Sequence, residues 1–172
     1  MSTASSWCRW ALIEQFNALS PREAEEQLYA TLANRSWASR VASGRPYRGI
    51  DALLAAAETA WSDLTPGDWL HAFEAHPRIG DKGGHAPATS EREQSGIRQA
   101  SPRTLAALEA ENREYEKRFG HVFLIAARGR SADEILHELR RRMSNDSFAE
   151  LQVAAAEQRK ITRMRLIEML EG

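Results

Sequence analysis

Burying a polar group without a partner costs on the order of 1–3 kcal/mol, so polar residues on faces that should be apolar are where chemistry is first sought. His76 follows Trp69, Ala72 and Phe73 at helical spacing. It falls near a helix C-terminus, where backbone carbonyls favour a protonated imidazole. Such a histidine exchanges protons near neutral pH, and the same placement also suits a core histidine with both ring nitrogens satisfied. Arg165 lies within the apolar stripe of the last helix, whereas Arg159, Lys160 and Arg163 fall on its other faces. A guanidinium keeps its charge, so Arg165 calls for an anion. That anion is either a substrate group or a structural carboxylate, or else the stem packs while the head reaches water. Glu93 stands three residues after Ser90 in a capping-box pattern, which gives it a structural task as well as a chemical one. Gln94 beside it carries the donor and acceptor that a planar amide-like ligand needs, in a position equally suited to an ordinary surface glutamine.

Other constellations fail on spacing. His71 and His76 are five residues apart, on opposite sides of a helix, and Cys8 is the single cysteine, so neither a paired-histidine nor a cysteine-rich metal site is expected. Asp81 and His85 would join a metal site only by folding back. The glycines around them lack the phosphate-binding ending, and no serine elbow is present. Arg140, Arg141 and Arg142 are expected to form a solvated helix end.

The elements that hold these residues read as helices. Ser20-Pro21-Arg22-Glu23 is a start signal, with Ala24, Leu28 and Leu32 on one face. A shorter helix begins near Ser36 and is stopped by Gly44-Arg45-Pro46, and residues 50–61 form the next. Thr65-Pro66-Gly67-Asp68 starts the helix that ends at Pro77. Residues 78–89, with three glycines and Pro87, read as a long surface loop of the kind that is often functional. Ser90 opens a short helix ending near Gln99. Ser101-Pro102 starts a longer one with a face of Leu105, Leu108, Asn112, Tyr115 and Phe119, closed by Gly120. Residues 122–127 are an apolar run too short for a stable helix. Ser131 to Glu134 is another capping box, with Ile135, Leu136 and Leu139 inward. The last helix begins near Asp146 and carries the stripe Leu151, Ala154, Ala155, Gln158, Ile161, Thr162, Arg165 and Met169. The expected fold is all-α: a compact single-domain bundle of about eight helices with no sheet, over residues 1–172, with residues 1–9 a loosely ordered N-terminus.

Composition narrows the partners. The chain has 172 residues, 42% hydrophobic and 27% charged, with a formal charge of -1; this is ordinary for a globular domain and makes no field that collects phosphates, so nucleic acid is not expected. No apolar run approaches a membrane span, no leader pattern opens the chain, and its ending is not a peroxisomal one. A cytoplasmic location and no membrane partner are expected.

His76-Pro77-Arg78-Ile79-Gly80-Asp81-Lys82 followed by Ser90-x-x-Glu93-Gln94-x-Gly96 resembles the paired signature of the OHCU decarboxylase family, and the pairing is far more specific than either half. The resemblance continues through Asn112-x-x-Tyr115-x-x-x-Phe119-Gly120, the Phe123-Leu124-Ile125-Ala126-Ala127 run, Ile135-Leu136, Asn145-Asp146 and Ile161-x-x-Met164-Arg165-Leu166. It covers nearly the whole chain from about Leu12 onward. It implies a substrate, 2-oxo-4-hydroxy-4-carboxy-5-ureidoimidazoline, a product, (S)-allantoin, no metal or organic cofactor, and a homodimer. It also implies that His76 is catalytic together with Glu93 and Arg165. Pro77, Ser90, Glu93, Gln94, Phe123, Ile125, Ala127 and Arg165 match the family's substrate-contacting positions. The loop between the two signatures is shorter than in many relatives, and His85-Ala86-Pro87 departs from the family pattern.

Overall fold

Helix starts in this chain are written in side chains that satisfy their own first turn. In the computed structural model, which describes residues 3–80 and 94–171, Ser20 caps α2 (Pro21–Thr31) in a reciprocal capping box with Glu23, and Pro21 occupies the first turn. Asn34 caps α3 (Arg35–Ser43) by accepting the Trp37 N–H at 2.9 Å. The cap is therefore Asn34, two residues before the Ser36 start expected from sequence. α4 spans Ile50–Ser62 and α5 spans Pro66–Glu74, the latter opened by Thr65 and Asp68 bonding to each other. Ser101 caps α6 (Pro102–Phe119), which Gly120 closes at φ 77°, a left-handed conformation that costs a glycine nothing. Ser131 and Glu134 form the capping box of α7 (Ala132–Arg142), and α8 runs over Ser147–Glu171.

The described residues thus hold eight α-helices and no strand, and the fold is all-α. The set differs from the expected one at two places. α1 spans Thr3–Ala18, a helix not expected from the sequence. Its described side chains include the buried Ile13 and Phe16. The short helix expected up to Gln99 is, in its described part, a 3-10 helix, η1, over Ser95–Gln99; its start at Ser90 lies outside the described residues.

The chain forms two compact units, residues 1–68 with 162–172, and residues 69–161. In the first, α2 packs on α3, α3 on α4, and α1 on α4. Trp37, fully buried, donates its indole N–H to the Ala57 carbonyl at 3.0 Å, and Tyr47 donates its hydroxyl to the Val41 carbonyl at 2.6 Å. Arg45 gathers the carbonyls of Phe16 and Leu19 at 3.0 and 2.6 Å, which satisfies the open end of α1. In the second unit α6 packs on α7. Its core joins Ile79, Ile97, Leu108, Tyr115, Phe123, Ile125, Ala127, Ile135, Leu136 and Leu139. On α6 the buried face is Thr104, Leu108, Asn112 and Tyr115; Leu105 is exposed. Thr104, one position earlier, takes the place expected for Leu105 because its hydroxyl bonds Asp133 on α7 at 2.9 Å.

Candidate active site

His76 is delivered by the end of α5 rather than carried on it. The α-helix stops at Glu74, and the chain then tightens, with Ala75 N–H bonding the Ala72 carbonyl at 3.3 Å and His76 N–H bonding that of Phe73 at 3.0 Å. Pro77 lacks the donor to continue and restricts the residue before it, so the terminal turn ends there. Ala72 and Phe73 are buried under this turn, while His76 and Pro77 are half-buried. The ring sitting inside the aromatic core is instead that of His121, packed at 5.4 Å from Phe73 and 5.6 Å from Tyr115, with Nδ1 at 3.0 Å from the Val122 carbonyl.

Beyond Pro77 the chain is tied down at three successive residues. Arg78 forms a forked pair with Glu116 on α6, with contacts of 2.5 and 2.8 Å. Buried Asn112, one turn earlier on α6, donates to the Ile79 carbonyl at 3.4 Å. Gly80 N–H donates to Gln94 Oε1 at 2.7 Å. The Gln94 amide oxygen is thereby anchored on the polypeptide. The 3-10 turn that carries Gln94 is itself seated by Gly96: a Cβ there would stand 2.2 Å from the Arg130 carbonyl oxygen.

Residues 123–127 form the facing wall. Phe123 meets Tyr115 edge-on at 5.1 Å. The segment belongs to no helix, so its backbone groups need other partners. Arg142 Nη1 donates to the Leu124 carbonyl at 2.7 Å, and Glu157 accepts the Ala126 N–H at 2.8 Å. Arg130 N–H closes the following turn on the Ala127 carbonyl at 3.0 Å.

A small cavity lies between these parts, lined by His76, Pro77, Ile79, Gln94, Phe123, Leu124, Ile125, Ala127 and Ile161. Six sequence-selected residues are thus brought together: His76, Pro77, Gln94, Phe123, Ile125 and Ala127. Ser90 and Glu93 lie outside the described residues. Arg165 belongs to the other compact unit, where it is buried to 6% exposure on α8, while Arg159, Lys160 and Arg163 are exposed. Of the loop expected over residues 78–89, Arg78 and Gly80 are exposed and Ile79 is buried, and the rest lies outside the described residues, Asp81 and His85 included. Among the described residues, no group of three or more His, Cys, Asp or Glu side chains is disposed to hold a metal ion, and no helix is long and apolar enough to cross a membrane.

The expectation for Arg142 is overturned. Arg140 and Arg141 do form exposed pairs, with Glu111 and Glu138 at 2.6 Å each. Arg142 is 0% exposed and bonds Glu150, also 0% exposed, through Nε at 2.8 Å and Nη2 at 2.5 Å. Tyr115 donates its hydroxyl to the same carboxylate, and Asn145 donates to its second oxygen at 2.8 Å. Burial, then the Glu150 carboxylate, push the Tyr115 phenol far above its ordinary range, so it remains a donor. Arg142 follows Leu139 by three and Ile135 by seven, which sets it on the buried stripe and apart from its two exposed neighbours. Glu150 and Glu157 likewise precede Ala154 and Ile161 by four each on α8. The criterion that singled out Arg165 would have found all three.

An imidazole, an amide and backbone groups held at fixed positions among apolar side chains can move a proton on, and orient, a small planar polar ligand, because charge placed there is poorly screened by water. The OHCU decarboxylase family model matches residues 17–167, and the chain belongs to that family. The uric acid degradation bifunctional protein TTL of Arabidopsis thaliana is 30% identical over 151 residues, which cover 84% of this chain and 47% of the plant protein, so the chain spans about half the length of that relative. The 2-oxo-4-hydroxy-4-carboxy-5-ureidoimidazoline decarboxylase of Amia calva is 30% identical over 166 residues, covering 92% of this chain and 94% of that protein. A crystal structure of OHCU decarboxylase in the presence of (S)-allantoin superposes with a TM-score of 0.75 at 30% identity, covering 86% of this chain and 99% of the other.

Proposed function

We propose that this protein catalyses the cofactor-independent decarboxylation of 2-oxo-4-hydroxy-4-carboxy-5-ureidoimidazoline to (S)-allantoin, a carboxy-lyase step of urate degradation. The observation that carries this reading is a cavity that gathers His76, Pro77, Gln94, Phe123, Leu124, Ile125 and Ala127 in a chain of this family. The family match runs through both compact units, which supports reading residues 1–172 as one catalytic domain.

Loss of carbon dioxide leaves an electron pair on the ring carbon, and the neighbouring ring C=N of the substrate accepts it, much as the carbonyl of a β-keto acid does. The substrate supplies its own electron sink, and the protein's task is positioning and proton traffic. In this mechanism His76 takes the proton of the ring hydroxyl as that oxygen becomes a carbonyl. It then assists protonation of the ureido-bearing carbon from one face, which sets the hand of the product. Glu93 accepts from the ureido and ring N–H groups. Gln94, with its oxygen on Gly80, donates through its nitrogen. Arg165 and the Ile125 N–H stabilise charge on the oxygens, and Pro77, Ser90, Phe123 and Ala127 shape the rest of the site. A guanidinium that held the departing carboxylate tightly would slow its loss, so Arg165 favours the rearranged charge over the ground state.

Freshly generated substrate tests the reading, with chiral allantoin followed by circular dichroism. Spontaneous decay gives the racemate and hence no signal. Wild-type protein is expected to produce the (S)-enantiomer, and His76→Asn to lose about 10²–10⁴-fold in rate while binding (S)-allantoin normally. Undiminished turnover by His76→Asn would remove the imidazole from the chemistry. A helical binding module would take up (S)-allantoin and accelerate nothing.

A further inference from the structure

Residues 123–127 are gripped by two ionised side chains of distant elements. Arg142, on α7, takes the Leu124 carbonyl at 2.7 Å, and Glu157, on α8, takes the Ala126 N–H at 2.8 Å. A trans peptide unit is planar, with its C=O and N–H pointing in opposite directions. The unit whose carbonyl meets Arg142 therefore turns the Ile125 N–H away from the guanidinium. The unit whose N–H meets Glu157 turns the Ile125 C=O away from the carboxylate. One residue, itself part of the cavity wall, thus has its donor turned away from Arg142 and its acceptor turned away from Glu157. This is the complement of a ligand's own N–H–C=O edge, such as that of a urea or a cyclic amide.

We propose that Glu157 and Arg142 are positioning residues, which hold the two peptide units flanking Ile125 so that its N–H and C=O receive an amide edge of the ligand at two points. The proposal rests on the reaction assigned above. Both ionic groups are buried, Glu157 at 8% and Arg142 at 0% exposure, so the bonds they make are charge-assisted and poorly exchanged for water. Glu157 is additionally anchored by Lys160, whose ammonium stands 2.6 Å from its other oxygen. Small displacements of a positioning wall cost far more in rate than in fold, on the order of 10²-fold for about 1 Å.

The test compares wild type, Glu157→Gln, which keeps an acceptor for Ala126, and Glu157→Leu, which does not. Glu157→Leu is expected to lower kcat/KM by about 10²-fold and to weaken inhibition by (S)-allantoin about tenfold, and Glu157→Gln to stay within about threefold of wild type on both. A purely structural glutamate would lower the melting temperature and leave the inhibition constant of the folded enzyme untouched. That result would overturn the proposal, as would a Gln variant that falls as far as Leu. Should Glu157→Leu fail to fold, the wild type still decides: added (S)-allantoin must shift the Ile125 and Ala126 amide resonances, and unmoved resonances would refute the clamp. Wild type that binds (S)-allantoin with these shifts yet turns over no substrate would sink the assigned reaction and leave the clamp standing.

Discussion

Arg142 and Glu150 are opposite charges withdrawn wholly from water, and their mutual attraction competes with a desolvation cost of several kcal/mol per ion. The arrangement repays this by filling almost every bonding direction: Arg142 reaches Glu150 and the Leu124 carbonyl, and Glu150 also receives Tyr115 and Asn145. Removing one partner strands the other. Arg142→Met is therefore expected to destabilise the protein by about 3–5 kcal/mol in urea unfolding, and the Arg142→Met, Glu150→Leu double variant by clearly less than the single one. A single variant within about 1 kcal/mol of wild type would mean that the pair behaves like a surface salt bridge. His76 is a different kind of residue: half-buried, at the end of a turn.

The helices define themselves by local bonds at their ends, and these bonds have a pH signature. In α7 the Glu134 carboxyl is held below its ordinary value of 4.5 by the Ser131 backbone N–H first and its hydroxyl second. Because the folded state lowers this pKa, the unfolded chain binds the proton more readily. The contribution to stability is complete above the ordinary carboxylate range and is lost as pH falls through the lowered value. Glu23 in α2 is shifted the same way, by the Ser20 hydroxyl and then its N–H. Glu134→Ala should accordingly melt below wild type at about pH 7, with the gap closing toward about pH 3. A gap independent of pH would assign the loss to helix propensity rather than to the ionised cap.

Across the molecule, the cavity depends on segments far apart in the chain meeting at backbone distance. One such meeting is Gly96 against Arg130, where a methyl would fall 2.2 Å from a carbonyl oxygen that no side-chain rotation can move aside. Gly96→Ala must push the turn bearing Gln94 away from the turn that follows Ala127. The expected cost is about 1–3 kcal/mol in stability, with a loss of turnover exceeding what the melting temperature predicts, since the Gly80 to Gln94 bond moves with that turn. Wild-type kinetics in Gly96→Ala would show that the cavity tolerates this displacement.

Helix starts at Pro21, Pro102 and Ala132, the stop at Gly120 and the inward positions Leu108, Asn112 and Tyr115 of α6 and Ile135, Leu136 and Leu139 of α7 were readable from the chain, because each is decided by partners within a turn or two. The same holds for the polar residues His76 and Arg165, which stand out by interrupting an apolar period. Periodicity says that a residue faces inward, but it is silent about what stands opposite. That Arg142 meets Glu150 rather than water, that Glu157 reaches Ala126 across 31 residues, and that Thr104 displaces Leu105 on α6 are outcomes of tertiary contact. A buried charge or hydroxyl is tolerable only when a distant group arrives to satisfy it, and that arrival is a property of the folded chain.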